Sequence, residues 1–175
     1  MKLTPVMEKY ILHWGEMGTR WGVNRTVAQI QALLYLSMRP LHAEEITETL
    51  NVARSNVSTS IKELQSWGLV KTVPVLGDRR DHFETLHDPW DLFDVIIEGR
   101  KRRELDPTLS LLRECVLEGE ADKQTPEAVK QRIKDVMTFL ETLDSWYTQI
   151  RGLPRPTLIK LIKLGAKIQR FLGST

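Results

Sequence analysis

The chain has 175 residues, 41% hydrophobic and 27% charged, and 25 Lys and Arg against 23 Asp and Glu leave it at +2. That composition excludes disordered and collagen-like classes, the absence of any apolar run of roughly 18 residues excludes a spanning helix, and the charge is too small to argue for nucleic acid alone. The lone cysteine, Cys115, excludes an internal disulfide, and the opening MKLTPVMEKYILHW lacks the apolar core of a signal peptide, so a cytoplasmic protein is expected.

Thr4-Pro5, Asp88-Pro89, Asp106-Pro107 and Thr125-Pro126 each pair a capping residue with a proline suited to the first helical position. The first predicted helix, about residues 5–17, sets Val6, Tyr10, Trp14 and Met17 on one stripe. Gly18 to Gly22 reads as a glycine-bounded loop. Asn24 then caps a second helix, about 25–37, whose Ala28, Ile30, Leu33, Leu34 and Leu36 are apolar nearly all round, as an interior helix requires. Arg39-Pro40 ends it.

Residues 42–85 carry the densest signal. Glu44 to Leu50 is a short helix with Ile46 and Leu50 inward; His42 stands at its cap and Glu45 is placed to return the reciprocal bond. A second helical pattern follows with Val57, Ile61 and Leu64 inward, and Gly68 closes it. Ala53 offers no side-chain cap, a loss of roughly 1 kcal/mol. Leu69 to Leu76 is strand-like, and Phe83 and Thr85 lie on a return strand after a charged loop, Gly77 to Asp81, with Arg79 and Arg80 at its tip. Helix, turn, helix and hairpin in that order make a winged helix-turn-helix.

The outward residues of the second helix, Arg54, Ser55, Asn56, Ser58, Thr59 and Lys62, are short hydrogen-bonding groups and cations. They suit base edges and phosphate oxygens. A surface helix with Ser and Asn acting as local caps is the plainer alternative, although Ser, Asn and Thr cost helix propensity that Glu or Lys would not. From Ala53 to Arg80, five cations (Arg54, Lys62, Lys71, Arg79, Arg80) face two anions (Glu63, Asp78), so +3 sits where contact is expected.

Beyond the hairpin, residues 89–104 form a helix with Leu92, Phe93, Ile96 and Ile97 inward. Its basic end, Arg100 to Arg103, is either a solvated C-terminus favoured by the helix dipole or a phosphate contact. Pro107 starts a new helix or kinks this one; Leu109, Leu112 and Val116 continue the stripe to Gly119, and 118–124 reads as a loop. In 125–151, Val129, Ile133, Val136, Leu140, Leu143, Tyr147 and Ile150 alternate spacings of four and three, a seven-residue repeat. At 1.5 Å per residue the helix is about 40 Å long, too long for a small globule to cover, which points to a dimer interface; packing against 89–117 is the rival and is compatible with it. After a break at 152–156, residues 157–175 are basic and amphipathic. Leu158, Leu161, Leu164 (or Gly165), Ile168 and Leu172 oppose Lys160, Lys163, Lys167 and Arg170, a pattern that serves a docking arm or a membrane surface.

No catalytic or metal constellation is legible. His13, His42, His82 and His87 lack zinc spacing, and neither a phosphate-binding glycine loop nor a nucleophile elbow occurs. Cys115 reads as a packed thiol. Neither enzyme activity, nor a metal, nor a cofactor is expected.

The register AEEI…NVARSNVS…IKELQSWGLV with its GDRRD wing resembles the multiple-antibiotic-resistance-regulator (MarR) superfamily. GTRWGVNRTVAQIQALLYLSMRPL and DPWDLFDVIIEGRKRRELDPTL resemble its glycine-betaine-synthesis-regulator (GbsR) branch, and the likeness covers most of 4–150. The resemblance implies a dimeric, ligand-responsive transcription regulator in which the wing Asp-x-Arg, matched by Asp78 and Arg80, pairs internally while arginine touches DNA. The expected class is mainly α with a small β-hairpin. The expected layout is a dimerisation helix over 1–24, the winged module over 25–88, a helical dimerisation region over 89–151 and a basic arm over 152–175. Double-stranded DNA, a second copy and a small-molecule effector are the expected partners. Tyr10, Trp14, Tyr35, Trp90 and Phe93 are candidates for the effector, and a quaternary ammonium osmolyte is one chemistry that aromatic faces hold, although aromatics on helical stripes are more commonly core. The rival function is a winged-helix adaptor for proteins or a membrane surface, without a specific operator.

Overall fold

The computed structural model describes residues 1–172, with side chains as far as Leu164. The chain divides into two compact units, Met1–Lys101 and Arg102–Thr175.

In the first unit, helix α1 (Pro5–Arg20) starts at Thr4, whose side chain accepts from the Met7 N–H, with Pro5 in the first turn. It runs three residues past the expected end, because Gly18 is not a loop residue. Gly15 and Gly18 are buried with Ile11, and α1 packs on α2 (Arg25–Leu36) through this small-residue face. A Cβ on Gly18 would stand 2.5 Å from the Ala28 Cβ. The inward stripe is therefore Ile11, Gly15 and Gly18; Val6 and Trp14 of the expected stripe are exposed.

The second helix begins at Asn24, which accepts from the Thr26 N–H, and buries Val27, Ile30, Ala32, Leu33 and Leu34. Around it lie α3 (Ala43–Leu50), α4 (Arg54–Trp67) and the sheet, with Ile46, Val57, Ile61, Leu64 and Phe83 completing one hydrophobic core. His42 caps α3: its Nδ1 accepts from the Glu45 N–H at 3.3 Å and the Glu45 carboxylate accepts from the His42 N–H at 3.2 Å. Ala53 gives α4 no side-chain cap, and Gly68 ends that helix at φ 78°.

Strands β2 (Val70–Val75) and β3 (Asp78–Thr85) pair antiparallel, and β1 (Leu41–His42) adds a third strand on the far edge of β3. The expected five-residue loop shrinks to Leu76-Gly77, with Gly77 at φ 83°. Arg79 and Arg80 thus lie on the strand next to the tip rather than in a loop. The first strand is too short to leave a period-two pattern in sequence.

Helix α5 (Pro89–Arg100) begins at Asp88, which accepts from the Trp90 and Asp91 N–H groups. Lys101–Leu105 is one π turn and leads straight into α6 (Asp106–Ala121). Pro107 supplies no N–H to the carbonyl four residues back, and the widened turn falls just before it. Asp106 accordingly does not cap a fresh helix; Leu105 is already helical there. In the second unit α6 packs on α7 (Glu127–Arg151), with Arg113 paired to Glu141 at 2.9 Å. Pro126, not Thr125, takes the cap position of α7. Helix α8 (Arg155–Leu172) follows; Gly165, Lys167, Ile168, Arg170 and Leu172 of the expected amphipathic pattern lie outside the described side chains.

Candidate nucleic-acid interface

Helix α4 divides by periodicity. Val57, Ser60, Ile61 and Leu64 are buried, while Arg54, Ser55, Asn56, Ser58, Thr59 and Lys62 are all exposed. Of the polar residues from Ser55 to Ser60, only Ser60 turns inward. The four short polar side chains, Ser55, Asn56, Ser58 and Thr59, together with Lys62, keep hydrogen-bonding groups available to an outside partner.

Beside α4 the wing closes a groove of about 520 Å³, whose walls include Arg54, Ser58, Lys62, Thr72, Arg79 and Arg80. Gln65 at its foot donates to Thr72 at 2.9 Å, tying the helix to β2. Arg80 donates from Nε to Asp78 at 2.9 Å, its backbone N–H donates to the same carboxylate at 3.0 Å, and its Nη1 donates to Glu44 at 3.0 Å. The Arg80 side chain holds the Asp78 carboxyl well below the usual carboxylate range, and Asp78 and Glu44 together push the guanidinium up. Arg54 lies 3.6 Å from the other Glu44 oxygen.

The +3 read from sequence is thus redistributed. Lys71 is neutralised by Glu84 at 2.8 Å, and Arg54 and Arg80 share Glu44. Lys62 and Arg79 have no ion-pair partner among the described residues. Glu44 escaped the sequence reading because it sits 36 positions from Arg80, and only the folded register of the wing brings them together. His82, buried on β3, has Nδ1 2.9 Å from the Arg80 carbonyl and Nε2 3.5 Å from Asp78, which anchors the wing from below. His87 sits 3.3 Å from the Ser37 carbonyl, so the two wing histidines serve separate backbone contacts. Among the described residues, no group of three or more His, Cys, Asp or Glu is placed to hold a metal ion.

A second feature of the first unit is an apolar cavity of about 740 Å³. Tyr10, Trp14, Tyr35 and Phe93 line it, whereas Trp90, on the same helix as Phe93, does not. The Tyr10 and Tyr35 rings stack with centroids 6.4 Å apart, and Trp14 is tilted against Tyr10 at 5.9 Å. Trp21 and Trp67 also line it and were not anticipated, one lying in the supposed loop and the other at the end of α4. Burial raises the Tyr10 hydroxyl above its ordinary value, so it stays neutral at physiological pH.

In the second unit the expected α7 stripe splits. Ile133, Leu140, Tyr147 and Ile150 are half-buried, together with Met137. Val129, Val136 and Leu143 are exposed, and Phe139 and Trp146, each 61% exposed, extend the same face at spacings of three and four. Leu109 is buried on α6, and Cys115 is half-buried on the same helix.

Comparison with known proteins agrees with this geometry. Residues 21–81, from just past α1 to the middle of β3, match the model of the MarR family. YvaV of Bacillus subtilis (strain 168), named as an HTH-type transcriptional regulator, is 20% identical over 127 residues, covering 69% of this chain and 72% of YvaV. The crystal structure of a transcriptional regulator superposes with a TM-score of 0.66 at 18% identity, covering 85% of this chain and 97% of that one. The last likeness shows the fold: a mainly helical chain with a winged helix-turn-helix.

Proposed function

We propose that the chain is a transcriptional regulator of the MarR type, whose family model its residues 21–81 match, and that it acts as a cytoplasmic homodimer on a pseudo-palindromic operator. The observation that carries the DNA-binding reading is the face of α4. Six residues fit to read a groove, Arg54, Ser55, Asn56, Ser58, Thr59 and Lys62, are exposed while every apolar residue between them is buried. Two copies would offer two such helices to successive major grooves about 34 Å apart. Support for the dimer is the uncovered apolar row of Val129, Val136, Phe139, Leu143 and Trp146 on a 25-residue helix.

Selection of preferred sequences from a random DNA pool tests this. An enriched inverted repeat with half-sites one helical turn apart is expected, and enrichment of nothing would refute specific recognition. In mobility shifts on the selected site, Asn56→Ala should relax one base position, whereas Arg79→Ala should weaken all sequences and lower the salt slope by about 1.

A small-molecule effector fits the aromatic cavity, whose volume of about 740 Å³ lies in the range of small-ligand sites. Such a ligand shifts DNA affinity only as far as it prefers one dimer geometry. Calorimetry with choline and with betaine examines the quaternary ammonium chemistry; no heat with either removes that ligand class and leaves the regulator standing.

A further inference from the structure

Glu44 is the second residue of α3 and lies in the first turn, where an anion is favoured by the helix N-terminus. Its two oxygens point at two different elements. Oε2 accepts from Arg80 on the wing at 3.0 Å, and Oε1 faces Arg54, the first residue of α4, at 3.6 Å. Asp78 already holds Nε and Nη2 of Arg80, so with Glu44 on Nη1 all three guanidinium nitrogens are engaged. Arg54, Arg80, Asp78 and Glu44 cancel to zero charge at the mouth of the groove.

We infer that Glu44 is a positioning residue for DNA recognition: it spans the reader helix and the wing, holds Arg54 and Arg80 at a set separation, and competes with phosphate for both. This rests on the DNA-binding reading above. Phosphate binds through the same guanidinium donors as a carboxylate. Each phosphate that Arg54 or Arg80 gains must therefore displace or share Glu44. Contacts that any sequence can offer are thereby weakened, and binding leans more on Asn56, Ser58 and their neighbours, which meet base edges. Glu44 trades affinity for selectivity.

The experiment compares wild type, Glu44→Gln and Glu44→Asp as full-length protein, on the selected operator and on a duplex of scrambled sequence, across a salt series. Glu44→Gln keeps the shape and removes the charge. It should bind the scrambled duplex more tightly at low salt, and its log K against log salt should steepen by about 0.9 for each added phosphate contact. Between about 50 and 200 mM salt that is roughly a 3.5-fold greater loss of affinity per contact, and about 12-fold if both arginines gain one. The operator-to-scrambled ratio should fall, and Glu44→Asp, which keeps the charge, should restore the wild-type slope. A purely architectural role predicts weaker binding to both duplexes with no change of slope. That outcome, or a Glu44→Asp slope as steep as that of Glu44→Gln, overturns the inference while leaving DNA binding intact. Wild type binding neither duplex would overturn both.

Discussion

Replacing Gly18 by Ala puts a methyl group where the structure has no room for it. The new Cβ would lie 2.5 Å from the Ala28 Cβ, against a comfortable separation of about 3.5–4.0 Å. Neither Cβ can rotate away, so α1 and α2 must separate by about 1 Å or more. Overpacking of this kind costs about 1–3 kcal/mol. Alanine returns up to about 1 kcal/mol of helix propensity, so a net loss of about 1–2 kcal/mol is expected. Ala28→Gly alone should cost about 1 kcal/mol, through propensity and the lost methyl contact. The two changes together move the methyl from one helix to the other, and the double variant should therefore be more stable than Gly18→Ala alone. Urea denaturation at one fixed protomer concentration, with the four proteins side by side, gives the coupling. Additive losses, with the double variant the least stable of the four, would refute close helix contact at this crossing. The consequence reaches α4, because α2 is also the helix on which α4 rests.

Three further substitutions probe a helix cap, an ion pair and the exposed face of α7. Ala53→Ser should give α4 the side-chain cap it lacks and raise stability by about 0.5–2 kcal/mol, read as a higher urea midpoint at unchanged slope. Glu45 is held down to about 2, first by its hydrogen bond from Arg39; a depressed carboxyl contributes stability that is present above its unfolded value, so that contribution should fade as pH drops from about 4.5 to about 2, and Glu45→Gln should flatten this part of an acid titration of the thermal midpoint. Parallel titration curves for the two proteins would sink that account. Trp146→Glu places a charge in the exposed apolar row of α7, and sedimentation should show it shifting the chain toward monomer while the circular dichroism of the protomer persists; an unchanged mass would move the dimer contact elsewhere.

Much of this molecule is written locally. The buried and exposed halves of α4, the glycine stop at Gly68, the reciprocal cap of His42 and Glu45 and the caps at Thr4, Asn24 and Asp88 follow from side-chain periodicity and backbone chemistry within a few residues. The same local logic misplaced what depends on distant neighbours. Gly18 reads as a loop residue until α2 is laid against it, since a glycine in a helix is explained only by what its missing methyl would strike. Asp106 and Thr125 look like caps, yet the helix already runs through Leu105 at the first, and Pro126 holds the cap position at the second. The α7 repeat announces an apolar helix, but one helix can carry two apolar faces, and only packing tells the half-buried Ile133, Leu140 and Tyr147 from the exposed Val136 and Leu143.

Sequence by itself determined the fold type and the exposed polar face of α4, because both depend on contacts within a turn of helix or a pair of strands. Tertiary structure alone decided which of the charges around α4 and the wing are neutralised. Formal charge is a property of residues, but its neutralisation depends on partners dozens of positions away: Glu44 on Arg54 and Arg80, Glu84 on Lys71, and open solvent around Lys62 and Arg79.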